Sequence, residues 1–329
     1  MKMIRLIVCL WGLLPTTSDA QTIVWTDQDA RRIQRKDVNG GGVGTIVQFP
    51  FPNTPSVIHY DTITAKLYYY LFGTPSSFQR ANLDGTNPEN IPTPSVGIFT
   101  LNVESRKLYW IKPGDTLNRS ELNGAGVESH TYPTCCLFTL EAIGDEVFFG
   151  GGLTMGKGIW RADADGSNEQ FLEETAQPMD LAFDPVENKL YVASIDQINR
   201  LNLDGTGFET IVSLPAWQGG NSGPEQVVVD FRARKVYWAD PTAKVIQRSN
   251  LDGSNVEDFV TASDVENPNF DIRGLTIVYT SRPIPTLSGW GLMVMGLLLV
   301  ACAALILRRC RAEGPMSARP PIFWSVCLA

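Results

Sequence analysis

Catalytic side chains are what this sequence has least of. Only two histidines, His59 and His130, occur in 329 residues, and no GxSxG, Walker, HExxH or CxxC pattern is present. A lone histidine in a strand is more often a packed core residue than a base or ligand. Motif-built hydrolase, nucleotidase and thiol-redox chemistry are thereby excluded. Cysteine is nearly as uninformative. Cys9 lies in an N-terminal apolar run, Cys302 and Cys310 in or beside a C-terminal one, and Cys327 in the tail, which leaves Cys135 and Cys136 in the middle of the chain. Neighbouring Cα atoms are about 3.8 Å apart, shorter than the usual disulfide span, so a bond between them would be strained and the pair reads as buried thiols, the alternative being a vicinal redox switch. Positive charge is also short. Residues 21–281 carry 20 Lys and Arg against 33 Asp and Glu, a formal −13, which opposes nucleic acid and anionic lipid and fits a cation or a basic partner.

What is present is a repeat. An Arg stands four positions before an Asx-Gly pair six times: Arg35, Arg80, Arg119, Arg161, Arg200 and Arg248, before Asn39, Asp84, Asn123, Asp165, Asp204 and Asp252. Successive Asx positions are 45, 39, 42, 39 and 48 residues apart, the length of a four-stranded propeller blade. Upstream, Asp61, Asn102, Asp184 and Asp230 each lie five residues before a Lys-apolar-aromatic triplet, and Glu141 before Glu146-Val147-Phe148 reads as the degraded fifth copy.

Strand logic fits each unit. In residues 178–212, MDLAF is a short apolar run, DPVEN is turn chemistry, KLYVAS and QINRLN alternate, and Asp204-Gly205 supplies the positive φ of a tight hairpin before FETIV. Gly85, Gly166 and Gly253 are its equivalents. Such a four-stranded sheet cannot bury its apolar face alone, so units stack, and a ring gives each two neighbours. The first unit, with IVWTD at residues 23–27, lacks a first strand, while DIRGLTIVY at residues 271–279 is a first strand with nothing after it. Pairing the two closes a six-bladed, all-β propeller and removes its open edges.

Trp25-Thr26-Asp27, Tyr109-Trp110, Tyr237-Trp238-Ala239-Asp240, and LDGT or LDGS at Leu83, Leu203 and Leu251 resemble the YWTD repeats, the class B repeats of low-density lipoprotein receptors. The resemblance spans residues 23–279 and implies a six-bladed propeller that serves as an extracellular or lumenal interaction module without catalysis. It also implies a structural, hydrogen-bonding role for Asp27 and Asp240. Blades two, four and five depart from the tetrad, with YYYL, FFGG and YVAS.

The loops that lead into the first strands converge at one mouth of the central channel, where Asp180, Glu225, Asp271 and Arg273 are the notable polar residues. They read either as solvated rim charges or as a ligand site. Because carboxylates suit calcium, the alternative to a binding module is a calcium-dependent lactonase or esterase of the six-bladed kind. Otherwise no cofactor is expected, and the partner is a protein or glycan at the cell surface. Asn118-Arg119-Ser120 fits the glycan-acceptor pattern, but its Arg is a repeat position, so a chance match is the simpler reading.

Both ends carry targeting features. Lys2 and Arg5, an apolar run from Leu6 to Leu14 and Ser18-Asp19-Ala20 describe a signal peptide over residues 1–20. After the propeller at 21–281 comes a linker and motif at 282–289, then an apolar run from Trp290 to Leu307 of 18 residues, roughly 27 Å of helix and enough to span a bilayer. Arg308, Arg309 and Arg311 place the basic cluster at 308–329 on the cytoplasmic side. Ile284-Pro285-Thr286-Leu287 with Trp290-Gly291-Leu292, the apolar run and the arginines resemble the IPTL type of bacterial C-terminal sorting signal. That resemblance implies an exported, envelope-anchored protein, processed in the membrane by an exosortase-like protease and released toward the surface. Such chains stop soon after the basic cluster, whereas here Ala312 to Ala329 continue, so an ordinary single-pass anchor remains the alternative.

Overall fold

The computed structural model describes residues 20–93, 98–112, 115–132, 137–153, 156–175, 177–214 and 223–280. Among them every regular element is a β-strand. The signal peptide up to Asp19, the sorting motif, the transmembrane run, the basic cluster, the tail and the Cys135-Cys136 pair lie outside the described residues, while Ala20, the last residue of the expected signal peptide, opens β1.

Six four-stranded antiparallel sheets follow one another along the chain. Blade 1 contains β1 (Ala20–Asp27), β2 (Arg32–Asp37) and β3 (Gly44–Gln48). Blade 2 is β4 (Thr54–Asp61), β5 (Lys66–Phe72), β6 (Ser77–Asn82) and β7 (Glu89–Asn90). Blade 3 is β8 (Ile98–Asn102), β9 (Lys107–Lys112), β10 (Thr116–Glu121) and β11 (Glu128–Thr131). Blade 4 is β12 (Leu137–Ile143), β13 (Glu146–Leu153), β14 (Gly156–Asp163) and β15 (Gln170–Glu174). Blade 5 is β16 (Pro178–Asp184), β17 (Lys189–Ser194), β18 (Gln197–Asn202) and β19 (Glu209–Ser213). Blade 6 is β20 (Gln226–Asp230), β21 (Lys235–Asp240), β22 (Val245–Asn250) and β23 (Glu257–Thr261).

The last strand, β24 (Ile272–Thr280), returns to blade 1 and pairs antiparallel with β1, from Ala20 opposite Thr280 to Asp27 opposite Ile272. It supplies the first strand that the sequence of blade 1 lacks. Each innermost strand packs on the next, in the order β24, β4, β8, β12, β16, β20 and back to β24. A closed ring of this kind leaves only short innermost edges, each sheltered between its neighbours. We call the end where the first strands begin the mouth end and the other the turn end.

Adjacent aromatics of the repeat have opposite jobs, because successive strand residues point to opposite faces. Tyr237 packs forward with Trp25 of blade 1, while Trp238 packs back with Tyr191 of blade 5. Tyr109 likewise faces blade 4 and Trp110 faces blade 2. All three Trp side chains, at 25, 110 and 238, have no exposed surface. Burying such a ring contributes on the order of 1.5–3 kcal/mol, so the Tyr-Trp pair binds each blade to both neighbours.

Gly85, Gly166, Gly205 and Gly253 adopt positive φ between 81° and 89°, as the hairpin pattern predicts. At Gly253 an added Cβ would come 1.9 Å from the Ile211 carbonyl oxygen in the preceding blade. The turn therefore needs glycine for conformation and for close approach together.

Candidate functional site

Register decides what lines the channel. His59, Thr100, Glu141, Ala182, Val228 and Thr276 pair across with Tyr68, Tyr109, Phe148, Tyr191, Tyr237 and Val24, equivalent positions on the second strands. They form one layer around the axis. The reading of Glu141 as the fifth Asx is corrected here. Ile143, not Glu141, pairs with Glu146, because the turn of blade 4 is two residues shorter than the others. Glu141 is thereby moved two positions along the strand into the channel layer.

In that layer the Thr100 hydroxyl donates to Glu141 Oε2 at 3.0 Å. Burial pushes the Glu141 carboxyl up to about 8, against the Thr100 hydrogen bond and helped by the charge of Asp180. His59 stands edge-on to Phe99 with ring centroids 4.9 Å apart. Burial drives its pKa down to about 4, only partly opposed by the Phe99 backbone, so it is neutral at physiological pH. One layer nearer the mouth, Asp180 accepts from Thr139 Oγ1 at 3.3 Å and from Val227 N at 2.9 Å. Burial nevertheless lifts Asp180 to about 7. Glu141 and Asp180 thus keep one face toward the channel while losing most of their hydration.

Three of the four mouth residues form an ion cluster. Arg273 Nη1 donates to Glu225 Oε2 at 2.7 Å, and its Nε lies 2.8 Å from Asp271 Oδ1. Burial raises the Glu225 pKa, opposed by the Arg273 charge and reinforced by Asp271. Asp180 is not a member of this cluster. It is held one strand away through the Val227 amide. Among the described residues no group of three or more His, Cys, Asp or Glu is placed to hold a metal ion.

The other repeat residues serve the frame. Asp27 is fully buried, caps its turn through Ala30 N at 3.1 Å and takes Asn267 Nδ2 at 3.0 Å from the loop before β24. Asp240 caps the equivalent turn through Thr242 N and Ala243 N at 2.9 and 2.8 Å. The repeat arginines bridge to the fourth strand nine residues on: Arg80 to Glu89, Arg119 to Glu128, Arg200 to Glu209 and Arg248 to Glu257, each within 2.6–2.9 Å. Arg161 reaches Gln170 at 2.9 Å, and Arg35 stands opposite Gly44. An acidic residue at that offset in four units is visible in the sequence, though the repeat pattern above does not use it. Asn118 is fully buried and donates to the Thr116 carbonyl, so the glycan-acceptor tripeptide is closed in the folded domain.

Residues 282–312 match the family model of the IPTL-CTERM motif. Over 238 residues the chain is 27% identical to low-density lipoprotein receptor-related protein 5 of Mus musculus, covering 68% of this chain and 12% of that protein. Among solved structures it is similar to a chain of the nidogen/laminin complex, at TM-score 0.66 and 15% identity, covering 80% of this chain and 100% of that one. It is also similar to TolB from Acinetobacter baumannii, at TM-score 0.63 and 11% identity, covering 83% and 69%. At those identities the likenesses speak for the fold. The chain is a six-bladed β-propeller similar to the YWTD propellers of low-density lipoprotein receptors, and it carries an IPTL-CTERM motif behind that propeller.

Proposed function

We propose that this protein is an exported, envelope-anchored binding or display module whose mouth end meets its partner. The observation that carries the reading is a closed ring of blades followed in the chain by the IPTL-CTERM motif. Both Ala20 and Thr280 lie at the turn end of blade 1, which leaves the mouth end clear of the points where the chain joins the propeller. A negatively charged domain with an Arg-Glu-Asp cluster at that end favours a partner with basic groups that can compete for Glu225 and Asp271. The sorting segment supports a second encounter, with an exosortase-like membrane protease.

A calcium-dependent lactonase would need several oxygen ligands converging on one point. Instead, the mouth carboxylates are engaged separately, Glu225 by Arg273 and Asp180 by Thr139 and Val227. The test is capture from the native envelope with the full chain as bait, beside an Arg273→Ala, Glu225→Gln variant. A partner retained by the first and lost by the folded second supports the reading. Calcium-dependent turnover of lactones or aryl esters, abolished by Asp180→Ala with Glu225→Ala, would replace it with the enzyme.

A further inference from the structure

We propose that the seam between blades 3 and 4 receives one branched aliphatic side chain of a basic protein partner, in a place that the chain fills for itself at the other seams. The residue before the Asx-Gly turn is Val38, Leu83, Leu122, Leu203 or Leu251 in five units and Ala164 in the remaining one. In those five it packs into the apolar cluster shared with the preceding blade. Ala164 meets the corresponding cluster, with Tyr109 and Leu117 of blade 3, but its methyl group does not reach as far. A cavity of about 250 Å³ lies there, lined by Leu117, Arg119, Glu128, His130, Ala164 and Asp165 among others. It is smaller than the roughly 300–1,000 Å³ of small-molecule sites and suits a side chain rather than a whole molecule.

Register puts these residues on one face. Leu117 stands opposite His130 and Arg119 opposite Glu128 across β10 and β11, and alternate strand residues share a side, here the one toward blade 4. Arg200 and Arg248, the equivalents of Arg119, donate through Nη1 to the Leu251 and Val38 carbonyls at 2.9 and 3.1 Å. The repeat thus sets this arginine over the residue before the turn. A second local change meets the first. In blades 1, 5 and 6 the residue opposite the equivalent of Leu117 is Val47, Val212 or Val260, whereas in blade 3 it is His130, whose ring centroid lies 4.9 Å from that of Tyr132. The floor is therefore aliphatic and one wall is an imidazole.

The rim is acidic. Arg119 donates to Glu128 through Nε and Nη2 at 2.8 and 2.6 Å, so those two charges offset each other. Asp165 remains at the cavity, and Glu169 lies near enough that, after burial, its charge and that of Asp165 raise the Tyr132 pKa. A lysine or arginine beside an aliphatic anchor gains from this surface, and an acidic flank is repelled. Filling a small apolar pocket with one anchor is how a few residues come to dominate an interface.

The test is saturation-transfer NMR on the purified full chain with acetyl-Lys-Leu-Lys-amide, beside acetyl-Lys-Ala-Lys-amide, acetyl-Glu-Leu-Glu-amide and leucinamide. The first peptide is expected to bind at about 10 mM or tighter, and the Ala and Glu versions about tenfold more weakly. Ala164→Leu should fill the cavity from within, raising the thermal midpoint by about 2 °C or more and weakening the first peptide about tenfold. Asp165→Asn keeps the test open if that variant does not fold, because Asn39 and Asn123 hold the same turn position in other units. It should weaken the first peptide about threefold and reduce the salt dependence of binding. No binding of the first peptide, equal binding of its Ala version, or unchanged binding in folded Ala164→Leu or Asp165→Asn would each overturn the proposal. Leucinamide bound as tightly as the peptide would replace it with a free-amine site, and a dimer dissolved by Ala164→Leu would replace it with a second copy of this chain. The site lies at the turn end, away from Glu225, Asp271 and Arg273, so its failure leaves the envelope-capture result and the reading of the mouth untouched.

Discussion

Arg106 reaches back one blade to place Nη1 2.9 Å from both carboxylate oxygens of the fully buried Asp61. The residue is set for this by its own turn, where it adopts φ 59° immediately before Lys107. Arg234, at φ 57°, repeats the device toward Asp184 at 3.3 Å. A left-handed residue at the close of one turn thus anchors the carboxylate that caps the preceding blade's turn. Arg106→Ala should destabilise the propeller by about 1–3 kcal/mol, since the buried carboxylate loses a charged donor but keeps Ile63 N and Thr64. Adding Asp61→Asn should recover part of that loss, and a urea double-mutant cycle measures it.

Acid should act on the same contact. Burial alone would raise the Asp61 pKa, but hydrogen bonds from Thr64, Arg106 and Ile63 outweigh it and hold the group below its ordinary value. A lowered acid contributes stability that is present above the unfolded pKa and lost as pH falls through the folded one. Arg106→Ala should therefore shift the midpoint of acid unfolding upward, as read by far-UV circular dichroism across a pH titration.

The channel carboxylates predict the opposite slope at neutral pH. Glu141 and Asp180 titrate near 8 and 7 in the fold, so the native state holds protons that the unfolded chain has released, and stability falls as pH rises through that window. His59, lowered to about 4, works the other way but only below its ordinary value near 6.5. Thermal midpoints should thus decline between about pH 6.5 and 8.5. Glu141→Gln, which keeps an acceptor for Thr100, should flatten most of that decline. An unchanged slope would show that Glu141 does not titrate there.

Glycine at the hairpin turns should be costly to replace in proportion to the neighbouring backbone. A Cβ at Gly253 would meet the Ile211 carbonyl oxygen at 1.9 Å, and one at Gly205 would meet Leu172 O at 3.0 Å. Gly205→Ala is expected to destabilise by about 1 kcal/mol or more, and Gly253→Ala by about twice as much. Chemical denaturation of the two variants ranks them. Equal losses would mean that positive φ alone, and not the approach of the neighbouring blade, sets the penalty.

Removing β24 should abolish cooperative unfolding of the ring, since β1, β4 and β20 would all lose their partner. A truncated chain ending before Asp271 with an unaltered melting curve would contradict the closure.

The C-terminal segment yields a prediction of a different kind. If the IPTL-CTERM motif is read by a membrane protease, the mature protein ends near Ile284 to Leu287, and replacing those four residues with alanine leaves an unprocessed form. Mass spectrometry of the protein from its native host decides this. Peptides from Ala312 to Ala329 on the surface form would identify a plain anchor.

The ring and its closure were legible in the sequence because both follow from local rules. Arg-to-Asx spacing marks each outer hairpin, Asp204-Gly205 and its equivalents declare positive φ, and a blade that begins at Trp25 without a first strand must find one elsewhere. Glu141 shows where local rules stop. Counting five residues back from Glu146 places it at a turn, but a turn two residues shorter slides it into the channel, and only the pairing of Ile143 with Glu146 reveals the slip. The joining of Glu225, Asp271 and Arg273 and the exclusion of Asp180 from that cluster were likewise settled by the tertiary structure. Each depends on how side chains from different blades meet, and contacts between residues tens of positions apart leave no period in the chain. Sequence by itself determined how many blades there are and how the ring shuts; packing between blades decided which polar groups are paired and which are desolvated.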